Sequence, residues 1–370
     1  MVLKEQNILL FTRTMKLGGT ENVVLQLCEI LKPEANKVVV CSCGGVNEER
    51  LKEMGVKHYA IPDIQHKSPL KMLKVAKELK HIVKAEQITV IHSHHRMAAF
   101  YTELLFGKNI VKIANAHNTF TDKGRLTRFA YRNTHMIAVG EKVKENLVEY
   151  YGLSQVTVIH NSIKPFDGTI FPVEKLTEAR EDGYVLVGNI GRLSEQKGMS
   201  YFIQAAKKVL EVCETGDCPK TKFYIIGSGE LEDELKAEVK SLIPEDSLGF
   251  LGYRDDVQNV MSQLDFVVLS SLWEGFPLTP IEAFSVGKPV VATAVDGTPE
   301  IVEDGTNGLL VKPRDVDGLV NAMAGLINNK GEREKFGMTA LKCYEEEFSF
   351  NKMAERYVQF YKELDGEKNG

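Results

Sequence analysis

Trp273-Glu274-Gly275-Phe276-Pro277-Leu278-Thr279-Pro280-Ile281-Glu282-Ala283 follows a continuous apolar run, Phe266-Val267-Val268-Leu269, which reads as a strand buried on both faces. It precedes a helix that the next strand, residues 288–293, must follow, so the stretch is a strand-to-helix turn of a parallel sheet. Gly275 and Pro277 bend the backbone. A helix beginning near Thr279 aims its free amides at the crevice above the strand ends, a place that suits an anion. Glu274 and Glu282 flank the turn with no basic neighbour in sequence to neutralise them, and carboxylates there can accept hydrogen bonds from sugar hydroxyls. A second reading stands beside this one: Thr279-Pro280-Ile281-Glu282 matches a capping box with Pro at the first helical position, which accounts for Glu282 without any ligand.

Outward from this turn the chain alternates strands and helices. Asn7–Phe11 is a first strand, and a loop ending in Gly18-Gly19-Thr20-Glu21 leads into a helix with apolar Val23, Val24, Leu27 and Ile30. The two glycines allow close backbone approach to a ligand. Strand-like runs follow at 38–42, 88–92, 111–116, 136–139 and 156–159, and the alternation predicts a parallel sheet covered by helices. A stretch rich in Pro, Gly and charge, after Lys164 and up to Gly183, reads as a linker. A second set of strands begins at Tyr184 and continues at 222–226, 249–252, 266–269, 289–292 and 308–311. Phe350, Met353, Tyr357, Phe360, Tyr361 and Leu364 then form one stripe of a last helix. With 370 residues, two domains of roughly 170 residues are the natural division.

After the strand that opens the second half come Gly191-Arg192-Leu193 and Lys197-Gly198. Arg192 offers a planar fork of donors and Lys197 a point charge, and both can converge on phosphate oxygens. Taken singly, each also reads as a surface residue after a turn. Together with Glu274 and Glu282, separated by seven residues, they resemble the donor-nucleotide site of the retaining, metal-independent glycosyltransferases of family 4 (GT4). The resemblance spans nearly the whole chain and is strongest over 185–311.

That resemblance implies the GT-B fold: two Rossmann-like doubly wound α/β domains facing a cleft, with an acceptor-binding domain over 1–165, a nucleotide-sugar domain over 166–349 and a helix over 350–370 crossing back to the first. It also implies roles. Arg192 and Lys197 stabilise the departing diphosphate, Glu274 holds the transferred sugar and His117 stands beside it. Glu282 binds the ribose, and the backbone around Tyr253 and Arg254 meets the base. Gly18, Gly19 and Gly191, with the turn Gly275, Phe276, Pro277, Leu278 and Thr279, approach the donor. Retention would follow from front-face attack without a covalent intermediate. Ser162 and Lys164 depart from the family's usual residues, which bears on hinge geometry and not on chemistry, and Gly140 stands where a serine is common.

Other motifs point away from rival chemistries. Gly227-Ser228-Gly229 begins like a dinucleotide fingerprint, but Glu232 stands where a third glycine belongs. Asp315 and Asp317 open a helix, where Asp is an ordinary cap. All nine histidines precede residue 161, and His92-Ser93-His94-His95 lacks a nearby carboxylate or cysteine to complete a metal site. The six cysteines form no CxxC pair and read as reduced cytoplasmic thiols, with no signal peptide ahead of them.

The overall charge of −5 divides unevenly: residues 1–165 carry 24 Lys plus Arg against 15 Asp plus Glu, and the remainder 22 against 36. A basic first half fits an anionic surface or acceptor, although such charge can also be merely solvated. The helix near 68–84 sets Leu70, Leu73, Leu79, Ile82 and Val83 among Lys71, Lys74, Lys77, Lys80 and Lys84. Packing of its apolar face on the sheet is favoured over rest on a bilayer. The expected activity is hexose transfer from a nucleotide-sugar, a UDP-sugar before a GDP-sugar, to a saccharide or lipid-linked acceptor in surface glycoconjugate synthesis. No metal, cofactor or nucleic acid is expected, and the place is the cytoplasm or the inner membrane face. An epimerase or hydrolase on the same fold, or a sugar-nucleotide-binding scaffold, are the alternatives.

Overall fold

Strands rich in Val, Ile and Leu with no exposed face belong to parallel sheets covered on both sides, and both sheets of this protein are of that kind. The computed structural model describes every residue except 120, 121, 215, 217 and 365–370. The chain forms two units, one holding Met1–Asn161 and the chain from Asn351 onward, the other Ser162–Phe350.

The first unit contains β1 (Asn7–Phe11), β2 (Lys37–Ser42), β3 (Lys57–Ala60), β4 (Val90–Ser93), β5 (Val111–Ala116), β6 (His135–Ala138) and β7 (Val156–Val158). They run parallel in the order β3-β2-β1-β4-β5-β6-β7. The second contains β8 (Val185–Ile190), β9 (Thr221–Ile226), β10 (Leu248–Gly252), β11 (Phe266–Leu269), β12 (Val290–Thr293) and β13 (Gly308–Val311), ordered β10-β9-β8-β11-β12-β13. Each sheet is doubly wound, and its strand order reverses once, between β1 and β4 in the first and between β8 and β11 in the second. Loops leaving the carboxyl ends of those neighbouring strands diverge and leave a crevice for a ligand. The expected α/β architecture is therefore present.

In the first unit Leu9, Phe11, Val39 and Ile91 of the sheet meet Val75, Leu79 and Ile82 of the helix Pro69–Ala85. Only part of the anticipated apolar face is used: Leu70 and Leu73 remain 80% and 68% exposed. In the second unit Val187, Phe223, Val268 and Val291 pack with Phe202, Val209 and Leu326. The stretch read as a linker is folded. It carries the helix Glu174–Glu181, and the amides of Phe171 and Val173 donate to Asn259 Oδ1 and Gln263 Oε1 at 2.9 and 3.0 Å.

The last helix, Phe350–Glu363, joins the first unit through a buried polar chain. Tyr361 donates its hydroxyl to His92 Nδ1 (2.8 Å), His92 Nε2 donates to Asn115 Oδ1 (2.8 Å), and Asn115 Nδ2 donates to the Tyr357 hydroxyl (2.5 Å). Burial pushes His92 down to about 4, so its ring is neutral and this sequence of donors and acceptors is the one it can satisfy. Cys213 and Cys218, five residues apart, are joined as a disulfide, which corrects the reading of all six as reduced thiols. That spacing falls outside the CxxC pattern. Cys28 and Cys41 are buried free thiols, both pushed up by burial, Cys28 to about 12. No helix among the described residues is long and apolar enough to cross a membrane.

Tyr361→Phe removes the donor to His92 while keeping the ring. The buried Nδ1 left unpaired is expected to lower unfolding stability by about 1–3 kcal/mol, read from chemical denaturation of both proteins at pH 7. An unchanged midpoint would mean that the helix is held by its apolar contacts alone.

Candidate active site

The crevice of the second sheet is built by backbone groups packed at near-contact. Gly227, at φ +142°, would place a Cβ 1.9 Å from the Gly191 carbonyl oxygen, and Gly198, at φ +56°, would place one 2.3 Å from that of Ser270. Only glycine fits either position. Gly227 thus serves the approach of the β8 and β9 loops to each other, a structural reason for the Gly-Ser-Gly sequence that looked like a dinucleotide fingerprint. The Leu193 amide donates to the Ser228 carbonyl at 3.0 Å. Ser270 Oγ, beyond β11, contacts the carbonyl oxygens of Lys197 and Gly198 at 3.0 and 2.9 Å and accepts from Asn189 Nδ2 at 2.9 Å. The loop bearing Lys197 is therefore fixed from below.

On this frame Lys197 and Glu274 meet. Lys197 Nζ lies 2.5 Å from Glu274 Oε1, with the two side chains only 16% and 7% exposed. The lysine stem crosses Gly191, 3.3 Å from where a Cβ would stand. Ser271 Oγ donates to the same Oε1 at 2.6 Å, and Asp296 Oδ2 accepts from the Glu274 amide at 2.7 Å. Glu274 therefore does have a basic partner, brought from 77 residues away. Arg192, in the same loop, is exposed and has no ion pair among the described residues.

Glu282 has a different setting. The helix is Leu278–Ser285 with Pro277 at its cap and no side-chain capping bond, so Thr279 lies inside the helix and the capping box does not form. Glu282 retains partial surface exposure, but burial pushes its carboxyl up to about 7, with Lys197 pulling weakly the other way. Phe276 is buried, and the Gly275 carbonyl accepts from the Gly297 amide at 3.1 Å. Tyr253 is 59% exposed. Arg254 is occupied: it forms a two-pronged contact with Asp256, 2.7 and 2.5 Å, and that pairing raises its pKa. Asp315 caps its helix by accepting from the Gly318 amide at 2.8 Å, the ordinary role expected of it.

The remaining candidates lie in the first unit. Gly18 caps the helix Gly19–Leu31, close to the Glu21 carboxylate, which accepts from the Thr14 hydroxyl. His117, just beyond β5, has its Nε2 3.3 Å from Nδ1 of His94, whose ring stacks at 4.4 Å on His92. Burial is the main cause that holds His117 down at about 3 and His94 well below the ordinary histidine range, so both rings are neutral. These two histidines, with His95, Arg96 and Lys123, face a cavity of about 540 Å³. Among the described residues no group of three or more His, Cys, Asp or Glu side chains is arranged so that it could hold a metal ion.

Two family profiles cover most of the chain: glycosyl transferases group 1 over residues 174–342 and glycosyltransferase family 4 over residues 17–165. The chain is a family 4, group 1 glycosyltransferase. It transfers a sugar from a nucleotide-sugar donor to an acceptor, and the epimerase, hydrolase and scaffold alternatives give way to that activity. An Escherichia coli UDP-Gal:α-D-GlcNAc-diphosphoundecaprenol α-1,3-galactosyltransferase is 26% identical over 85% of this chain and 86% of its own. A Rickettsia africae glycosyltransferase shares the fold with TM-score 0.84 and 19% identity, over 99% of this chain and 100% of its own. Anabaena HepE, crystallised with UDP and glucose, matches with TM-score 0.81 and 21% identity over 97% and 100%.

Within this glycosyltransferase, Ser271, Asp296, Ser270 and Asn189 were missed as neighbours of the candidate residues. Ser270 and Ser271 directly continue the apolar strand β11, which is the signal that could have marked them. Asp296, a non-glycine residue at φ +41° before Gly297, carries no comparable mark.

Glu282 supplies a test through stability. A carboxyl raised from 4.5 to about 7 on folding favours the folded state fully below pH 4.5, and that contribution is lost as pH rises through 7. Glu282→Gln abolishes this dependence. The stability of the variant relative to wild type is expected to climb by roughly 1–3 kcal/mol between pH 5 and pH 8, less where solvent reaches the side chain. Parallel unfolding profiles at the two pH values would remove the buried, unpaired carboxyl from the description.

Proposed function

We propose that the second unit binds a UDP-sugar and that the first receives the acceptor. The observation that carries this reading is the Lys197–Glu274 pair at the strand-order reversal of the second sheet, with the uncommitted guanidinium of Arg192 in the same loop. A diphosphate brought there competes for Lys197. As the ammonium turns to phosphate, Glu274 is freed to accept hydrogen bonds from the sugar, still held by Ser271. Arg192 and Lys197 then face the negative charge that grows on the leaving diphosphate, the kind of fixed stabilisation that lowers a transfer barrier. The first-turn amides of Leu278 and Thr279 add positive potential. Two cationic side chains and a helix end can do this work without a metal ion.

Glu282 holds the ribose hydroxyls in this reading, and backbone groups around Tyr253 and Arg254 hold the base, since the Arg254 side chain is already taken by Asp256. The sugar is a hexose, and its configuration is retained by front-face attack, in which the departing phosphate oxygen takes the acceptor's proton while Glu274, tied to Lys197 and Ser271, contacts the sugar hydroxyls and no covalent intermediate forms. Uridine as the base is supported by the Escherichia coli relative, which uses UDP-Gal, and by HepE, which binds UDP.

Turnover of UDP-sugars by wild type and Lys197→Ala tests the site: loss of the charge partner is expected to reduce kcat by roughly 10²–10³. Thermal shifts with UDP, GDP and ADP, with and without EDTA, report the donor. A stabilisation specific to UDP, insensitive to EDTA and lost in Glu282→Ala, is the expected result. Equal shifts in Glu282→Ala would take the ribose contact away from Glu282.

The acceptor is a saccharide or lipid-linked saccharide, and the first unit works at an anionic membrane surface on the cytoplasmic side. The helix Pro69–Ala85 supports this. Its inner face is used by Val75, Leu79 and Ile82, while Leu70 and Leu73 stand exposed on the other face with Lys74 and Lys77. Apolar anchors set among lysines match an anionic interface. Leu70→Ser with Leu73→Ser is expected to weaken binding to phosphatidylglycerol vesicles by about tenfold or more in co-sedimentation. Equal sedimentation of both proteins would detach this helix from the membrane.

A further inference from the structure

The cavity of the first unit has a chemical bias that sugar binding alone does not require. Lys67, Arg96 and Lys123 line it together with His66, His94, His95 and His117, and no Asp or Glu is among the lining residues. Pockets for neutral saccharides usually need acceptors for hydroxyl protons, and carboxylates supply them best. Here the charged groups are all donors.

Nearby carboxylates do not reverse this. Asp122 accepts from Arg96 at 2.8 Å and lies 3.7 Å from Lys123, so it offsets about one of the three cations. Asp63 is committed to Arg13 by hydrogen bonds of 3.0 and 2.9 Å. Lys67 is exposed and has no ion pair among the described residues. The helix Arg96–Leu105 begins at the cavity and turns its positive end toward it.

A second, independent observation comes from His94. Its ring is 98% shielded from solvent and lines the cavity, with Nδ1 against His117, yet Nε2 has no hydrogen-bond partner. A buried polar atom is seldom left so without a ligand or water to meet it. On the other side Ile64, Met72 and Leu126 give the cavity an apolar wall. The combination suits an acidic group joined to a partly apolar body.

We infer that this cavity holds a phosphate or phosphate-like acidic group of the acceptor, gripped by Lys67, Arg96 and Lys123, with the His94–His117 pair hydrogen-bonding beside it. This rests on the reading of the first unit as the acceptor side. It narrows the acceptor class from saccharides in general to those carrying a phosphate, whether on a lipid or on a water-soluble molecule.

The full-length protein, first saturated with UDP so that the donor site is filled, is titrated calorimetrically with inorganic phosphate, octyl phosphate and octyl glucoside. Octyl phosphate is expected to bind, and to bind about tenfold more weakly to Lys67→Gln/Lys123→Gln, while octyl glucoside shows no such difference. A preference for octyl phosphate over inorganic phosphate assigns a lipid-borne group, and equal binding of the two assigns a soluble one; both support the cavity. Octyl glucoside binding as tightly as octyl phosphate, an unchanged affinity in the double variant, or no binding of either phosphate would overturn it. The UDP-induced thermal shift is read separately in both proteins. Its absence would count against the donor assignment, while the phosphate titrations still judge the cavity.

Discussion

Backbone against backbone, with no side chain between, is the constraint on which the second unit depends. The loops leaving β8, β9 and β11 touch at Gly191, Gly227, Gly198 and Ser270, at separations that any Cβ would break. The Ser270 hydroxyl ties two of these loops by contacting consecutive carbonyls. A lysine on such a loop does not have to be ordered when its ligand arrives. Its stem lies along a neighbouring loop, and its charge is already at the reversal point of the sheet. The cost of arranging the charge is met on folding, which is what makes fixed electrostatics effective in group transfer.

The two carboxylates of the turn illustrate how the same chemical group is given two characters by its surroundings. Glu274 is surrounded by an ammonium and a hydroxyl, and a third group, Asp296, holds its amide. Glu282 lies one helical turn inside, with burial its dominant influence. The first is compensated and rigid. The second is a carboxyl held in an unfavourable place, a condition that a protein tolerates where binding later repays it.

Much of this was readable from the chain. Residues 8–11 of β1, residues 185–187 at the start of β8 and all of β11 are apolar runs, and a parallel sheet follows from them with little ambiguity. β3 was not found. It is an edge strand whose Lys57, His58, Tyr59 and Ala60 are exposed or half-buried, so it lacks both the apolar run and the alternation. Arg192, Lys197, Glu274 and Glu282 could be picked out because they sit beside strand ends in the chain. That Lys197 and Glu274 form a pair could not, since the contact depends on β8 lying next to β11. The division of the helix Pro69–Ala85 into a packed and an exposed face was equally hidden: both faces carry leucines, and only the position of the sheet decides which are covered. The link between His94 and His117 likewise needs β4 beside β5.

The buried chain of donors from Tyr361 through His92 and Asn115 to Tyr357 has a consequence for how the molecule is made. His92 and Tyr361 are separated by 269 positions. At the usual rates of synthesis the ribosome needs on the order of ten seconds to a minute to cross that distance. Throughout that time the first sheet carries an imidazole and an amide in its interior that can pair with each other but whose tyrosine partners do not yet exist. The second unit is one uninterrupted length from Ser162 to Phe350 and has no such wait. The unit whose synthesis begins first is therefore the last to be completed, and a nascent chain spends its longest exposed interval with the core around β4 and β5 unfinished.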